Sequence, residues 1–253
     1  MVVPAEEGRL TTSSARVLVA TAVPAERDAV ARAFPEPGRP TPLPGVTLHR
    51  TGTAYDLLAA GVGPALAAAS VSAALTAAAL EGTPYGLVVS AGIGGGFLPE
   101  APVGAVVLAD TIVAADLGAE TADGFLPVTE LGFGTVTHRP PRSLVRQAVA
   151  ATGARAGAVL TVSTVTGTAA RAAELRARHP RALAEAMEGF GVAEAAAAHG
   201  VPVLEIRAVS NPVGPRDRAA WRIGEALEAL TTAFGKLAPV LESWNRHEHR
   251  HDQ

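Results

Sequence analysis

The sequence predicts one α/β domain with a mixed central β-sheet flanked by helices. Short apolar runs alternate with helical patterns along the chain, which is typical of α/β proteins. The chain has 253 residues, of which 48% are hydrophobic and 18% charged, and its formal net charge is −3. A chain of this length buries about 70 to 75% of the surface that its unfolded form exposes, so one core can form without a disulfide or a structural metal. The absence of cysteine agrees with this prediction.

Each element follows from a local pattern. In the first half, apolar runs precede helical segments in three pairs: 16–22 with 24–34, 53–61 with 64–80, and 86–91 with 103–114. Residues 35–45, which are rich in Pro and Gly, are expected to form a loop. In the second half we expect strands at 156–163 and 201–210, a helix at 168–179 and a last helix from about 216 to 244. The last helix carries an apolar stripe at three- and four-residue steps, so one of its faces should be buried against the sheet.

Both ends of the chain are expected to lie outside the domain, which we place at 16–245. Residues 1–15 contain two glutamates and lack the apolar stretch of a secretory signal, so they predict a disordered extension. Residues 246–253 are rich in His and predict a flexible tail, with metal capture by these histidines as the alternative interpretation.

Composition excludes several classes of function. The near-neutral net charge does not predict a surface that binds nucleic acid or an acidic membrane, since both require clustered Lys and Arg. The longest uncharged stretch, 61–80, is mostly Ala, Ser, Thr and Gly, so it predicts a buried helix rather than a membrane span. Without cysteine there is no thiol catalysis, and a reducing compartment, the cytoplasm, is expected. The other histidines show no ligand spacing, so we predict no metal site, no cofactor and a small-molecule substrate.

Glu26 stands where the first predicted strand turns into the first helix. A carboxylate in the first turn of a helix can simply complement the helix dipole. The same position lies at the carboxyl edge of an open sheet, where ligands of α/β proteins bind. Both interpretations stay open on this motif alone.

The glycine-rich run 91–97 follows another predicted strand. It is not a dinucleotide-binding fingerprint, because Phe97 stands where the third glycine would be required. The glycines either let backbone N–H groups approach a ligand or permit a tight crossing of strands.

Glu188 interrupts an otherwise small and apolar run, 184–193. Because a buried lone carboxylate is costly, either Arg207 on the following strand pairs with it, or it is reserved for a ligand that donates two hydrogen bonds, such as a cis-diol. Asn211 follows that same strand and precedes a turn stiffened by Pro and Gly. Asn is a common turn former, so its significance depends on the combination of these residues.

Taken together, these segments resemble the nucleoside phosphorylase and nucleosidase superfamily, which includes the methylthioadenosine/S-adenosylhomocysteine nucleosidases. The resemblance covers nearly the whole chain after Arg16. Arg207 follows Glu188 by 19 residues and Asn211 follows it by 23, which is the spacing expected of the superfamily. Four segments are most similar to those of the futalosine hydrolases, which remove hypoxanthine from futalosine on the futalosine route to menaquinone: 21–27, 161–168, 188–193 and 210–214.

The resemblance implies a role for each of these residues. Glu188 is similar to the carboxylate that binds the ribose 2′- and 3′-hydroxyls, and Met187 to the residue that packs against the sugar. Glu26 corresponds to the carboxylate that orients and deprotonates the attacking water, and Asn211 to the acid on the purine side. Glu26, Glu188 and Asn211 are therefore the predicted catalytic residues. Further predicted substrate contacts are Gly94, Gly95 and Ser210, with Phe97 and the stretch 164–168, including Thr164, as candidates for stacking on the base.

Asn at position 211 favours a 6-oxopurine over adenine. The adenine-specific branch of the superfamily carries Asp here, and a protonated Asp can donate to N7 and accept from the 6-amino group. Hypoxanthine presents acceptors at both N7 and O6, which the NH₂ of an amide can satisfy. Sites built on such matches reject the mismatched base by about 10⁴-fold or more, because a buried polar group is left unpaired.

The sequence leaves three alternatives open: a purine nucleoside phosphorylase, a methylthioadenosine/S-adenosylhomocysteine nucleosidase and a non-catalytic nucleoside-binding module. A phosphate site requires convergent arginines. Arg27 is expected to point away from Glu26, and residues 90–100 contain no Arg. A binding module has no need of a carboxylate that activates water. The resemblance also implies a homo-oligomer, with a dimer favoured.

Overall fold

The computed structural model describes residues 16–36, 38–52 and 54–251, and these residues have the predicted α/β architecture. The predicted extension at 1–15 lies outside them. The strands are β1 Arg16–Thr21, β2 Arg39–Leu43, β3 Val46–Thr51, β4 Tyr55–Ala59, β5 Tyr85–Gly96, β6 Val106–Ala114, β7 Gly118–Thr121, β8 Gly124–Pro127, β9 Thr137–His138, β10 Arg155–Thr161, β11 Ala182–Ala186 and β12 Val203–Pro212. The helices are α1 Pro24–Ala31, α2 Pro64–Leu80, α3 Arg142–Thr152, α4 Ala169–Arg178, α5 Gly189–Ala198 and α6 Ile223–His251, with a 3₁₀ turn at Arg218–Ala220.

One mixed sheet closes partly on itself. Its strands follow the order β11-β10-β6-β12-β5-β1-β4-β3-β2, with β9 paired to β6, while β7 and β8 form a separate hairpin. β5 is 12 residues long. Its first half pairs with β1, and its last two residues, Gly95 and Gly96, reach across to β11. This additional pairing joins β11, β10, β6, β12 and β5 into a ring of strands.

Helices cover both faces of the sheet. The parallel strands at its centre are buried along nearly their whole length, as expected for a sheet covered on both sides. One core cluster joins the strands to α2 and α5 and includes Leu18, Val71 and Val192. A second cluster joins them to α1, α3 and α6 and includes Val30 and Phe234. The carboxyl ends of the central strands therefore lie between two helical layers.

The structure corrects two predictions in the first half of the chain. The segment 106–114, predicted as helical, is strand β6. Its apolar run lies within the sheet, where β-branched Val and Ile pack well. Residues 39–43, predicted as part of a loop, form β2 at the edge of the sheet. An edge strand tolerates Pro40 and Pro42 because its outer N–H positions need no partner.

The last helix differs from the prediction at both ends. It begins at Ile223 and continues to His251, so residues 246–251 are helical, whereas their composition predicted a flexible tail. Residues 240–251 contain no Pro or Gly, and nothing in their local propensity ends the helix. The predicted apolar stripe is confirmed at Leu230, Phe234 and Leu237, which are fully buried.

Gly191 lets α5 approach the start of α2 closely. A Cβ at this position would lie 2.0 Å from the carbonyl oxygen of Pro64, a backbone atom that cannot turn away. We expect Gly191→Ala to lower the free energy of unfolding by about 1–3 kcal/mol, the usual range for overpacking. The matched control is Gly235→Ala in α6, where a Cβ meets open space, and there we expect a gain of about 0.5–1 kcal/mol. Equal effects of the two substitutions in urea denaturation would contradict this account of the packing.

Candidate active site

Three side chains singled out by the sequence converge where β1, β5 and β12 lie side by side. Glu26 extends from α1, which follows β1, and Glu188 lies at the start of α5, which follows β11. Arg207 belongs to β12 itself. The region is at the carboxyl ends of parallel strands, where ligands of α/β proteins bind.

Glu26 is held in position by backbone N–H groups. Its Oε2 accepts hydrogen bonds from the N–H groups of Ala22 (2.9 Å) and Val23 (3.3 Å), and its Oε1 accepts one from Ile93 (2.8 Å). The residue is only 4% exposed. Burial raises the pKa of Glu26, against the opposing effects of the Arg207 charge and of these hydrogen bonds. A carboxylate with a raised pKa is suited to accept a proton from water.

Arg207 is a buried cation with three carboxylates around it. Its Nε lies 2.9 Å from Oε1 of Glu205, and its Nη1 lies 3.6 Å from Oε2 of Glu188. Glu26 is close as well, because a Cβ on Gly92 would lie 2.6 Å from Arg207 Nη1 and 2.7 Å from Glu26 Oε1. Burial alone would lower the pKa of Arg207, but the three carboxylates together raise it. Both predicted catalytic carboxylates therefore face one positive charge.

Glu188 combines the two interpretations that the sequence left open. The ion pair with Arg207 is present. Oε1 of Glu188 also accepts a hydrogen bond of 3.2 Å from the N–H of Gly63, at the start of α2. A carboxylate offers about four acceptor sites, so Glu188 retains capacity for the hydroxyls of a ligand.

Glu205 is a buried carboxylate that the sequence analysis overlooked. It lies on β12 two residues before Arg207 and accepts the Nε–H of that residue. Gly189 makes room for it, because a Cβ there would lie 2.2 Å from Oε1 of Glu205. Burial raises the pKa of Glu205, and the Arg207 charge opposes this effect. The sequence does contain a signal for this pair, because residues i and i+2 of a strand lie on the same face of the sheet, and Glu205 and Arg207 have this spacing.

A β-bulge at Ser210 sets the direction of Asn211. The register of β12 shifts here, so that Asn211 rather than Ser210 pairs with Gly95. Such an insertion changes the direction of the side chains that follow. The Ser210 hydroxyl donates to Asn211 Oδ1 (2.8 Å), and Asn211 Nδ2 donates to the carbonyl oxygen of Pro212 (3.0 Å). With Oδ1 held in this way, the second N–H of the amide is left for a ligand.

The glycine-rich run 91–97 continues strand β5 as far as Gly96, and its glycines permit the tight crossing of strands, which is one of the two uses considered. A Cβ on Gly94 would lie 2.7 Å from the carbonyl oxygen of Glu185, so the tight packing of strands requires a glycine there. Gly94 and Gly95 are nevertheless only half-buried. Because Arg207 pairs with Gly92 and Asn211 with Gly95, about 10 Å along β5 separates the backbone positions of the two residues.

The other predicted substrate contacts differ in how far they are buried. Met187 is half-buried beside Glu188, so part of its surface is available to a ligand. Phe97, proposed as a stacking candidate, is 1% exposed and packs in a core cluster with Leu160 and Leu175. Thr164, the other named candidate, is exposed in the segment after β10. The structure thus gives Phe97 a packing role and leaves Thr164 at the surface.

Thr166, in the same segment, leads to a second overlooked carboxylate. Glu185 of β11 is 5% exposed, and its two oxygens accept hydrogen bonds from the N–H (2.9 Å) and the hydroxyl (2.5 Å) of Thr166. Burial raises the pKa of Glu185, and the Thr166 hydrogen bonds oppose this. No ion pair within the described part of the chain involves Glu185. The pattern of the run 184–193 points to Glu188 and gives no separate signal for Glu185.

The described residues also bear on two other classes of site, a membrane span and a metal centre. Among the described helices, none combines the length and the hydropathy needed to cross a membrane. Over the same part of the chain, no three His, Cys, Asp or Glu side chains are grouped so that they could hold a metal ion.

Comparison with known proteins assigns the chain to a family. The Phosphorylase superfamily matches residues 16–243. A futalosine hydrolase of Streptomyces coelicolor is 80% identical over 232 residues, which cover 92% of this chain and 99% of that protein. The chain belongs to the futalosine hydrolase family. Another member of that family, from Thermus thermophilus, is 35% identical over 190 residues, covering 74% of this chain and 82% of that protein.

Solved structures agree with the fold of this futalosine hydrolase family member. A futalosine hydrolase mutant of Helicobacter pylori has a TM-score of 0.76 at 16% identity and covers 89% of this chain and 99% of that chain. A 5′-methylthioadenosine/S-adenosylhomocysteine nucleosidase of Colwellia psychrerythraea, in complex with adenine, has a TM-score of 0.74 at 20% identity. The match covers 91% of this chain and 95% of that chain. The superfamily, the branch and the fold predicted from the sequence are thereby confirmed.

Proposed function

We propose that the chain is an N-ribosyl hydrolase that cleaves the C–N glycosidic bond of futalosine. The products are hypoxanthine and dehypoxanthine futalosine, on the futalosine route to menaquinone. The observation that carries the proposal is the convergence of Glu26 and Glu188 on one buried cation, with Asn211 farther along the same pair of strands. The 80% identity to a futalosine hydrolase supports the choice of substrate.

Glu188 acts at the sugar end. Breaking a ribosyl C–N bond develops positive charge on the sugar and negative charge on the departing purine. Glu188 accepts hydrogen bonds from the 2′- and 3′-hydroxyls with its free acceptor sites, and its charge stabilises the oxocarbenium-like centre. This effect is large in a site that excludes water. Met187 packs against the sugar from the adjacent position.

Glu26 orients the attacking water and accepts a proton from it. Its three backbone hydrogen bonds fix the carboxylate while leaving an acceptor site free. Positioning of this kind, together with proton transfer, contributes about 10²- to 10⁴-fold to the rate. Arg207 touches neither the water nor the sugar in this scheme. It positions the two carboxylates next to one another, and its charge opposes the rise in the pKa of Glu26 that burial causes.

Asn211 stabilises the leaving group. Its Nδ2–H donates to N7 or O6 of the purine as electrons move into the base. A preorganised donor of this kind contributes about 3 kcal/mol in mutational series. Ser210 fixes the amide orientation that makes the donor available.

Water is favoured over phosphate as the nucleophile. Arg27, the arginine next to Glu26, uses its guanidinium to bind Asp28 (2.7 Å) and His49 (3.0 Å). Arg207 is already surrounded by carboxylates, so a phosphate beside it would meet like charges. Hydrolysis requires neither arginine to bind an anion.

Hypoxanthine release from futalosine in phosphate-free buffer tests the proposed function. We expect turnover without phosphate and a higher kcat/KM for futalosine than for inosine or methylthioadenosine, measured side by side. A requirement for phosphate would contradict hydrolysis, and a preference for methylthioadenosine would contradict the substrate. Binding without any product would indicate the non-catalytic module.

We further propose that the enzyme works in the cytoplasm as a homo-oligomer, with a dimer favoured. A chain without cysteine suits a reducing compartment. Light scattering coupled to size-exclusion chromatography should give twice the mass of one chain, and a monomer mass would contradict the dimer.

A further inference from the structure

Glu185, Gly95 and Asn211 lie side by side on three neighbouring strands. Gly95 of β5 pairs with Glu185 of β11 on one side and with Asn211 of β12 on the other. Residues directly opposite one another in a sheet point to the same face. The carboxylate and the amide therefore share one face, with a residue that has no side chain between them. A Cβ on Gly95 would lie 3.5 Å from Asn211 Nδ2, which agrees with this placement of the amide.

The spacing of the two groups suits a bicyclic base. Neighbouring strands are about 4.8 Å apart, so the backbone positions of Glu185 and Asn211 are about 10 Å apart. A purine lying between two side chains, with a hydrogen bond of about 2.9 Å at each end, fills a gap of this order. Gly95 adds no side chain between them, although Cγ2 of Val213 packs close to it, 2.9 Å from where a Cβ would lie.

The partners of Glu185 do not explain why a carboxylate is buried there. Within the described residues its hydrogen bonds come from Thr166, and it takes no part in the ion pairs around Arg207. The Arg171 charge lowers its pKa, but no cation of the described chain is in contact with it. A charge buried without a cation in contact is costly, and an apolar residue would avoid that cost. The hydrogen bonds from Thr166 leave about two of the four acceptor sites of the carboxylate unused, and they hold its orientation.

The chemistry of the two groups matches a 6-oxopurine. Hypoxanthine has an N–H donor at N1 and acceptors at O6 and N7, whereas adenine has an acceptor at N1 and an amino group at C6. An ionised carboxylate only accepts hydrogen bonds, and the free N–H of Asn211 donates. We infer that Glu185 accepts the N1–H of the bound base while Asn211 donates to O6 or N7, so that the pair selects 6-oxopurines. This inference rests on the proposed function and adds the specificity-determining residue for the N1 edge of the base.

Glu185→Gln tests the inference through selectivity. Gln keeps one acceptor for Thr166 and replaces the other oxygen with an NH₂ group, which opposes the N1–H of hypoxanthine and matches the N1 acceptor of adenine. The measurement is kcat/KM for futalosine and for its 6-amino analogue, which shares the ribose and the 5′ substituent. We expect the ratio of the two values to fall at least about tenfold from that of the wild type. A merely structural role would lower both values alike, and an unchanged ratio would overturn the inference.

The control is Glu228→Gln on the exposed surface of α6, which should leave the ratio unchanged. Calorimetry with free hypoxanthine and free adenine separates this inference from the proposed function, because it needs no turnover. If the wild type cleaves neither nucleoside, the proposed function fails. A preference for hypoxanthine that Glu185→Gln abolishes would still support the inference, and equal binding of the two bases to the wild type would refute it.

A probe that needs no variant covers the case in which Glu185→Gln does not fold. 1-Methylhypoxanthine lacks the N1–H but keeps O6 and N7. We expect the wild type to bind it at least about tenfold more weakly than hypoxanthine, because the acceptor of Glu185 is left without a donor. Equal affinities would overturn the inference.

Discussion

Glu26→Gln is expected to lower kcat for nucleoside hydrolysis by about 10²- to 10⁴-fold, the usual contribution of a general base. Gln cannot accept the proton of the attacking water. Both oxygens of Glu26 accept hydrogen bonds from backbone N–H groups, so the NH₂ of the variant faces one of these donors. We therefore also expect the free energy of unfolding to fall by about 1–3 kcal/mol. Binding of hypoxanthine, measured by calorimetry, should change little because the base contacts lie elsewhere.

The pH profile of kcat gives an independent signature of the same group. Burial raises the pKa of Glu26 above its ordinary value of 4.5. The rate of the wild type should fall as the pH decreases through that raised value, because protonated Glu26 no longer accepts a proton. Glu205→Gln is the matched control, because Glu205 is equally buried beside Arg207 and has no role as a base. It should retain the acid limb and keep kcat within about tenfold. A wild-type kcat in Glu26→Gln would remove Glu26 from the mechanism.

The features that the sequence predicts well have local causes. The bounds of α2 follow from Pro64 in the first helical turn and from an Ala-rich run with no Gly or Pro inside it. Glu188, Arg207 and Asn211 were identifiable because their spacing is characteristic and their neighbours are small and apolar. Because an unpaired buried charge is costly, a carboxylate in an apolar run predicts a partner such as an arginine on the next strand.

The features that the sequence missed depend on pairing between distant segments. The glycine-rich run after Ser90 has no strand pattern of its own, but β11 and β12 pair with it on both sides and make it strand. The pairing of β5 with both β11 and β12 also places Glu185 and Asn211 on either side of Gly95, and no sequence pattern around either residue predicts this arrangement. The bulge at Ser210 is a further case, since one extra residue decides which way Asn211 points. Phe97, a candidate for stacking on the base, lies in a core cluster, and an aromatic residue beside a glycine run is compatible with either position.

Arg207→Met is expected to lower the free energy of unfolding by about 3–5 kcal/mol, measured by urea denaturation at neutral pH. Met keeps much of the length of the side chain but removes the charge. Glu205 and Glu188 then lose the cation within 4 Å of them, and Glu26 loses the charge that opposes its desolvation. Removing one member of a buried ion pair costs far more than replacing both members by apolar groups. The double variant Arg207→Met with Glu205→Met should therefore recover a measurable part of the loss.

The pH dependence of the Arg207→Met defect follows from the same charges. In the wild type, burial raises the pKa of Glu26 and of Glu205 while Arg207 opposes the shift, so both values rise further in the variant. A group whose folded pKa exceeds its unfolded pKa gives full stability below the unfolded value and loses it as the pH rises through the folded value. The defect should consequently be largest at neutral pH and shrink as the pH falls towards 4.5. A defect of equal size at neutral and mildly acidic pH would show that Arg207 contributes through packing of its stem and not as the counter-ion of these carboxylates.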